Sequence, residues 1–379
     1  MNCPKCGREN PDDAQVCNAC GSPLAQPSAP AGPALVKTSG LAIAAFVLGL
    51  ASLFTFGITA IPAVVLGIVS LVRIGRSGGR LTGTAFAVVG IVVPAVVCIL
   101  FLGILLPALA RVRQVAIRMT CGTNLSGIGK AMIIYANDYE DEFPRAGGRN
   151  SVWGGPVQWD AGNRFDAYGL NPNGTGGRAT ISSCFYLLVK YAEVTPKSFV
   201  CKGDHGTSEF TLSDYQRGDL ELIDCWDFGP EPWRHCSYTY HMPFGLYALT
   251  TSNEPGMAVA ADRNPWIESP AGAAKNIQQF NPTGTTRQQK YGNSISHQED
   301  GQNVLYLDNH VAFEKRSYCA IDHDNIYTYW DGGDIQRGAP PLVGSLFWQR
   351  AGRESGGPPA SAVNAPQHRR DSFLVHDSP

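Results

Sequence analysis

Four cysteines near the start of the chain have the residue type and spacing of a metal site. Cys3, Cys6, Cys17 and Cys20 form two C-x2-C pairs with ten residues between the pairs, and a glycine follows each pair. Glycine permits a tight turn, so that four thiolates can point at one tetrahedral zinc ion. Because four protein ligands leave no position for water or substrate, we predict a structural zinc.

Residues 1–24 resemble the minimal zinc ribbons found at the start of many bacterial membrane proteins. A redox or disulfide role for the thiols is one alternative, and nucleic-acid binding is another. The two basic residues of this segment are outnumbered by Glu9, Asp12 and Asp13, so we expect no nucleic-acid partner. Residues 25–38 are rich in Pro, Ala and Ser, which predicts a linker that tethers the ribbon.

The apolar run at residues 40–72 is too long for one membrane helix of about 20 residues and short for two. Gly57 and Pro62 interrupt its middle, so we predict a tight helical hairpin or a re-entrant pair. Residues 39–80, which end in an arginine-rich loop, resemble a small bacterial membrane module of unknown function that often follows a zinc ribbon.

The element that positions the rest of the chain is a predicted helix over residues 81–140. It begins with an uncharged apolar span at residues 85–109 and continues as a polar helix pattern. At about 1.5 Å per residue it would be roughly 90 Å long, of which a bilayer takes about 30 Å. Apolar side chains then recur at steps of three or four, at Ile117, Cys121, Leu125, Ile128, Met132, Ala136 and Tyr139. We predict that this stripe packs on a partner surface.

This helix resembles the membrane-to-ectodomain helix of pilin-like proteins related to the pseudopilins of bacterial type II secretion. The best match is an envelope group with a His…Asp-Gly motif late in the chain. The matching positions are Leu105, Leu106, Pro107, Ala108, Leu109, Arg111, Cys121, Asn124, Leu125, Ile128, Gly129, Ala131, Tyr135, Ala136, Asp138, Phe143 and Pro144. The resemblance implies an α+β fold in which the long helix packs on an antiparallel β-sheet. The Gly-Phe-Thr-Leu-x-Glu processing signature of assembling pseudopilins is absent, so fibre assembly is not implied.

Residues 141–335 are predicted to form this α+β ectodomain. We expect a helix at residues 183–192, and Asp308-Asn309 is a typical two-residue turn of a β-hairpin. The β-type segments are residues 198–201, 237–245, 257–266 and 304–314. Residues 336–379 are rich in Pro, Gly and Ser, which predicts a disordered tail, with a docking peptide at residues 371–377 as the alternative.

A second metal site is a weaker hypothesis. His297 and Asp308 match the His and Asp of the envelope group, but ten residues separate them where nine is usual, and Asn309 replaces Gly. Zn or Mn could be bound by a set comprising His297, Asp308, His310, Asp322, His323 and Asp324, or Ca by the carboxylates of this set alone. The alternative is that Asp308 caps a hairpin turn and the others lie on a wet surface. No His-Glu-x-x-His or P-loop pattern occurs, and we predict no catalytic residues and no enzyme activity.

The remaining cysteines bear on the redox compartment. Cys98 lies in the apolar span, and an even six follow residue 111, which is compatible with disulfides in an oxidising compartment or with buried free thiols. The envelope group often carries cysteines at the positions of Cys121 and Cys201, so the resemblance implies a disulfide between them. Cys225–Cys236 is the next candidate pair.

Charge predicts the orientation in the membrane. Three arginines at residues 73–80 place that loop in the cytoplasm by the positive-inside rule. If the preceding apolar run enters and returns, the ribbon is also cytoplasmic and the C-terminal domain is periplasmic or extracellular. Arg111, Arg113 and Arg118 after the last span argue against this orientation.

Together these features predict an integral membrane, pilin-like envelope protein that acts in scaffolding or protein interaction, in a secretion-related process or elsewhere. Its partners would be the lipid bilayer and envelope proteins. The net charge of −2 gives no attraction to nucleic acid, and no small-molecule substrate is identified. The alternatives are a zinc-ribbon module that senses or binds through the membrane, and a surface glycan-binding or hydrolytic protein using Trp153, Trp159, Trp226 and Trp233.

Overall fold

A computed structural model describes residues 1–24, 37–55, 57–155, 157–245, 247–341, 366 and 368–379. The chain divides into an N-terminal unit, Met1–Leu109, and a C-terminal unit, Ala110–Pro379. The helices are α1 (Gly40–Ala51), α2 (Ala60–Arg76), α3 (Thr84–Asp138), α4 (Arg164–Tyr168), α5 (Ile181–Ala192) and α6 (Thr286–Lys290). The strands are β1 (Lys37–Thr38), β2 (Leu81–Thr82), β3 (Val152–Trp153), β4 (Arg178–Ala179), β5 (Tyr238–His241), β6 (Ala258–Asp262), β7 (Gln302–Tyr306), β8 (Val311–Glu314) and β9 (Leu374–Val375).

The apolar run after the linker folds as a pair of helices, α1 and α2, which pack on each other. A turn between α1 and α2 contains Gly57 at a φ of 82°, a conformation that side chains disfavour. Small residues let α1 approach α3, because a Cβ on Gly90 would lie 2.7 Å from the carbonyl oxygen of Ala45. Close backbone contact at small residues is typical of helices that pack inside membranes. Most of the predicted linker, residues 25–36, lies outside the described residues.

The long helix is present as predicted and runs for 55 residues. Within the described part of the chain, α3 is the helix long and apolar enough to cross a membrane, and only 11% of its most apolar window is buried. Ile99 and Ile104 are 69% and 75% exposed. In a soluble protein, such a run of exposed aliphatic side chains would carry a large hydrophobic cost. The exposure therefore supports a membrane anchor.

The C-terminal unit contains an antiparallel five-stranded sheet in the order β8-β7-β6-β5-β9. This confirms the α+β fold and the hairpin, but the predicted two-residue turn is wrong. The N–H of Tyr306 donates to the carbonyl oxygen of His310 at 3.0 Å, so the loop comprises residues 307–309, with Asn309 at a φ of 67°. The predicted strand at residues 198–201 is wrong, since Pro196–Phe199 is a 3₁₀ turn. Proline fixes φ near the helical value and lacks an N–H, so it favours the first position of a helical turn.

The predicted stripe of α3 is buried in the C-terminal unit. Cys121, Leu125, Ile128 and Met132 are all 0% exposed and share one apolar cluster with α5 and the sheet. Tyr139, the last predicted member, is 40% exposed because the helix has ended at Asp138. The stripe periodicity therefore predicted the face of α3 that packs, up to its last turn.

The sheet has an apolar core on each side. Leu305 of β7 packs with α3 and α5, whereas its neighbours Val304 and Tyr306 belong to a second cluster with Trp266 and Phe280. Successive side chains of a strand point to opposite faces, so β7 contributes to both cores. All five residues of β7 are therefore buried, including the polar Gln302 and Asn303.

The predicted disordered tail at residues 336–379 is wrong at its end. Residues 371–377 are buried, and β9 adds to the sheet by pairing with Tyr240 and His241 of β5. Phe373, Leu374 and Val375 are each 0% exposed. A short apolar run surrounded by polar residues is hard to recognise as a strand in the sequence. Here it pairs with the open edge of β5. The part of the prediction on residues 342–365 and 367 lies outside the described residues.

The tail also caps a helix of the C-terminal unit. Asp377 accepts hydrogen bonds from the backbone N–H groups of Ile181 and Ser182, at 3.0 and 2.7 Å, and from Nε1 of Trp153 at 2.9 Å. The first N–H groups of a helix have no partner within it, and a carboxylate there also interacts favourably with the helix dipole. The docking alternative for residues 371–377 is therefore correct.

A buried carboxyl group beside this cap predicts a pH-dependent stability. Burial, with the nearby Asp377, raises the pKa of Asp227 to about 8. A group with a raised native pKa stabilises the fold fully below its unfolded pKa, and this contribution is lost as pH rises through 8. Between about pH 4 and pH 8 the wild type should lose about 1.4 kcal/mol per pH unit relative to Asp227→Asn, which cannot ionise.

Urea unfolding from pH 4 to pH 9 measures this difference. All seven tryptophans follow residue 110, so tryptophan fluorescence of the full chain in detergent reports on the C-terminal unit. Asp166→Asn, at an exposed carboxylate, is the control and should parallel the wild type. Equal pH slopes for the wild type and Asp227→Asn would contradict the prediction.

A disulfide joins α3 to the loop after the 3₁₀ turn, as the family resemblance implied. Cys121 and Cys201 are bonded, with Cα atoms 5.4 Å apart and 80 residues between them in sequence. The other candidate pair, Cys225–Cys236, is wrong, because each of these sulfurs instead contacts a nearby backbone carbonyl. Closing a loop of this length contributes about 4 kcal/mol in the chain-entropy model.

The disulfide predicts strongly non-additive substitutions. Either Cys121→Ala or Cys201→Ala breaks the bond, so each should lower the free energy of unfolding by about 4 kcal/mol. The double variant should lose little more than either single variant. Urea unfolding of the oxidised full chain tests this, with Cys319→Ala as the control. Losses that simply add in the double variant would show that no bond joins the two positions.

Candidate metal centres

The four N-terminal cysteines lie on two similar turns that point at one another. The backbone N–H of Gly7 donates to the carbonyl oxygen of Cys3, and that of Gly21 donates to Cys17, both at 2.9 Å. The two glycines have φ values of 74° and 68°, which glycine adopts without strain. The predicted role of glycine in turning each C-x2-C pair is therefore confirmed.

The sulfur atoms of these cysteines converge. Cys3 and Cys20 Sγ are 3.7 Å apart, Cys6 and Cys17 Sγ are 3.6 Å apart, and all four lie within 4.8 Å of one another. Tetrahedral zinc with bonds of about 2.3 Å holds its sulfurs about 3.8 Å apart. The donor set thus matches zinc in type, number and spacing. These thiolates would hold the ion and fold the segment around it.

Hydrogen bonds at two of the sulfurs, those of Cys3 and Cys17, favour the thiolate form that zinc requires. Ser22 and the backbone N–H groups of Lys5 and Cys6 lower the pKa of Cys3 to about 6. The backbone N–H groups of Ala19 and Cys20 lower the pKa of Cys17, which also accepts from Asn10 Nδ2 at 3.4 Å. Such outer contacts orient metal ligands and stabilise their charge.

The second predicted metal set is not brought together. His310 and Asp308 hydrogen bond to each other on the exposed β7–β8 turn. Asp322 is exposed and paired with Arg370 at 3.3 Å, whereas Asp324 is buried and accepts from the backbone of Ser372 at 2.7 Å. His297 is buried elsewhere. The alternative is confirmed for Asp308, which caps the hairpin turn by accepting from the backbone N–H of His310 at 3.1 Å. It is wrong for His297 and Asp324, which are buried rather than on a wet surface.

His297 instead faces a carboxylate that sequence analysis missed. Its Nε2 lies 3.1 Å from Oδ2 of Asp262 in β6, 3.2 Å from Nδ2 of Asn303 and 3.8 Å from Sγ of Cys201. Asp262 and His297 are 0% and 5% exposed. They are 35 residues apart in sequence, so no local motif could have revealed this pair. Cross-strand pairing of β6 with β7 brings them together.

Two segments of the chain match family models. Residues 2–24 match the zinc-ribbon domain, and residues 41–106 match a domain of unknown function, DUF4190. Residues 2–24 are a zinc ribbon with a structural zinc site. No curated protein matches the chain, and no solved structure matches it.

The zinc ribbon, the DUF4190 match and the apolar helix together make this chain a membrane-associated zinc-ribbon protein. The DUF4190 match spans α1, α2 and the apolar first part of α3, and it coincides with the small membrane module expected from sequence. The zinc ribbon precedes this apolar module, as the resemblance implied.

The C-terminal unit also has a cleft with aromatic walls, of about 370 Å³. Tyr135 and Tyr139 stack with ring centroids 4.1 Å apart, and Tyr191 lies 5.9 Å from Tyr139. Arg145, Glu142 and other charged side chains complete the lining. Among the four tryptophans suggested for glycan binding, Trp226 lines this cleft, whereas Trp153 is buried against the tail.

Proposed function

We propose that this protein is a membrane-anchored, pilin-like scaffold of the bacterial envelope, with its zinc ribbon in the cytoplasm and its C-terminal unit outside. In this proposal it binds envelope proteins and catalyses no reaction, and nucleic acid is not a partner. The observation that carries the proposal is α3, because one unbroken helix has an exposed apolar first part and a second part whose stripe is buried under the sheet.

Two further features support this orientation. Arg73, Arg76 and Arg80 follow the helical hairpin, and short arginine-rich loops favour the cytoplasmic side. The ribbon needs reduced thiolates, whereas the Cys121–Cys201 disulfide suits an oxidising compartment. A ribbon inside and a disulfide-bonded unit outside would place each in the redox environment that it needs.

Protease accessibility tests the proposal. In intact cells and in spheroplasts, external protease should digest the C-terminal unit wherever the protease can reach that unit. A membrane-protected fragment that contains the zinc ribbon should remain. Replacing Arg73, Arg76 and Arg80 by Glu should lower the protected fraction. Replacing Arg145, Arg149 and Arg164 by Glu is the matched control, because these lie in the C-terminal unit. Full protection of the C-terminal unit in spheroplasts would overturn the orientation.

Glycan binding is a second candidate function, favoured by the cleft with aromatic walls. The exposed faces of Tyr139 and Tyr191, at 40% and 47% exposure, could stack on sugar rings, while Arg145 and Glu142 could hydrogen bond to hydroxyl groups. Titration calorimetry with soluble cell-wall oligosaccharides tests this. Tyr139→Ala with Tyr191→Ala should abolish binding, and the exposed control Ile223→Ala should retain it. Absence of binding by the wild type would remove this candidate.

A further inference from the structure

A second cluster of metal-ligand side chains surrounds the disulfide in the C-terminal unit. Donor atoms of Cys121, Cys201, Asp262 and His297 all lie within 4.8 Å of one another, and all four residues are buried. They come from four separate parts of the fold, namely α3, the loop after the 3₁₀ turn, β6 and the turn before β7. Only the tertiary structure unites them.

This geometry does not suit a catalytic triad. The same ring nitrogen, Nε2 of His297, faces both the Cys201 sulfur at 3.8 Å and the Asp262 oxygen at 3.1 Å. A relay needs the acid and the nucleophile on opposite ring nitrogens. Four donors that converge on one point have instead the arrangement of a coordination site.

The buried carboxylate is a second, independent observation. Oδ2 of Asp262 accepts from the backbone N–H of Asn303 at 2.6 Å and from its Nδ2 at 3.2 Å. Oδ1 of Asp262 is buried and has no hydrogen-bond partner among the residues that the structure describes. A buried carboxylate that is only partly satisfied is costly, and a cation beside it offsets that cost.

We propose that the reduced form of this cluster binds one zinc ion through the Cys121 and Cys201 thiolates, Nε2 of His297 and a carboxylate oxygen of Asp262. The step consumes a dithiol reductant, which is oxidised to its own disulfide while the Cys121–Cys201 bond takes up two electrons and breaks. Zinc then displaces one proton from each cysteine, so two protons are released. Two thiolates with one imidazole and one carboxylate form a closed set of zinc ligands.

The zinc ribbon of the same chain provides a reference for the required geometry. Its sulfur pairs lie 3.6 and 3.7 Å apart, and the reduced Cys121 and Cys201 sulfurs need only separate to a similar distance. Zinc would then hold α3, the loop that contains Cys201 and strand β6 together, at the place where the disulfide joins α3 to that loop after oxidation. The C-terminal unit would thus keep the stripe of α3 buried in both reducing and oxidising surroundings, whichever side of the membrane it occupies.

Zinc content of the full chain tests this inference. The ribbon ligands Cys3, Cys6, Cys17 and Cys20 are first replaced by Ser, so that the measured zinc is bound by the second cluster. This protein, purified in detergent, is reduced with a dithiol, freed of reductant without oxygen, given zinc and desalted. We expect about one zinc per chain after reduction and nearly none when oxidised. Cobalt in place of zinc should give the intense visible absorption of a tetrahedral thiolate site.

Two variants and one control separate ligation from folding. Asp262→Asn and His297→Ala should each lower reduced-state zinc content at least fivefold, and His310→Ala, on the exposed β7–β8 turn, should leave it unchanged. Tryptophan fluorescence of each oxidised variant shows whether the C-terminal unit is folded. If His297→Ala unfolds, Asp262→Asn still tests zinc ligation, because asparagine keeps the shape of the aspartate side chain. A folded, reduced protein that binds no zinc, or zinc binding unaffected by Asp262→Asn, would overturn the inference.

Discussion

Deleting residues 371–379 should lower the free energy of unfolding of the C-terminal unit by at least about 5 kcal/mol. The deletion exposes the sites filled by Phe373, Leu374 and Val375, each 0% exposed. Burying an apolar side chain of this size contributes about 1.5–3 kcal/mol. It also removes the Asp377 cap from α5 and leaves β5 without a neighbour on one edge.

Urea unfolding of the full chain, followed by tryptophan fluorescence, measures the effect. A chain lacking only residues 378 and 379, which are not buried, is the matched control and should unfold like the wild type. A synthetic peptide of residues 371–379 should restore part of the stability when added to the shortened chain, since it can pair with β5. If the shortened chain and the control unfold at the same urea concentration, the tail makes no contribution to stability.

Loss of one zinc ligand should unfold the ribbon and abolish its zinc binding. Structural zinc in small metal-dependent modules contributes about 10–16 kcal/mol of apparent binding free energy near pH 7. The ribbon has a core of only Cys3, Cys17 and Leu24 besides the partly buried side chains packed on them, which is too small to fold without the ion. We expect one zinc per oxidised wild-type chain and nearly none for Cys17→Ser.

Zinc analysis and cysteine alkylation measure this outcome together. In the wild type, the zinc should protect four cysteines from alkylation until a chelator is added. In Cys17→Ser the remaining three should react at once, whereas Cys319→Ser, outside the ribbon, should retain both zinc and protection. Retention of a full equivalent of zinc by Cys17→Ser would show that the metal lies elsewhere in the chain.

Local patterns predicted the zinc ribbon, the pair of apolar helices α1 and α2, and the packed face of α3. Each of these depends on neighbours in sequence, because ligand spacing, an apolar run broken by Gly57 and Pro62, and a helical period are all local properties. The position of the β7–β8 hairpin was predictable for the same reason, since turn residues impose their own backbone angles. The resemblance to pilin-like proteins added the disulfide.

Only the tertiary structure decided the rest. Residues 371–377 fold because an open strand edge and the N–H groups of Ile181 and Ser182 at the start of α5 lie elsewhere in the chain, so their own composition could not reveal it. His297 likewise contacts Asp262 rather than Asp308, because the pairing of β6 with β7 brings together residues that are distant in sequence. The amino-acid sequence by itself determined the membrane helices, the packed face of α3 and the first metal site, whereas long-range packing determined how the tail and the buried cluster complete the C-terminal unit.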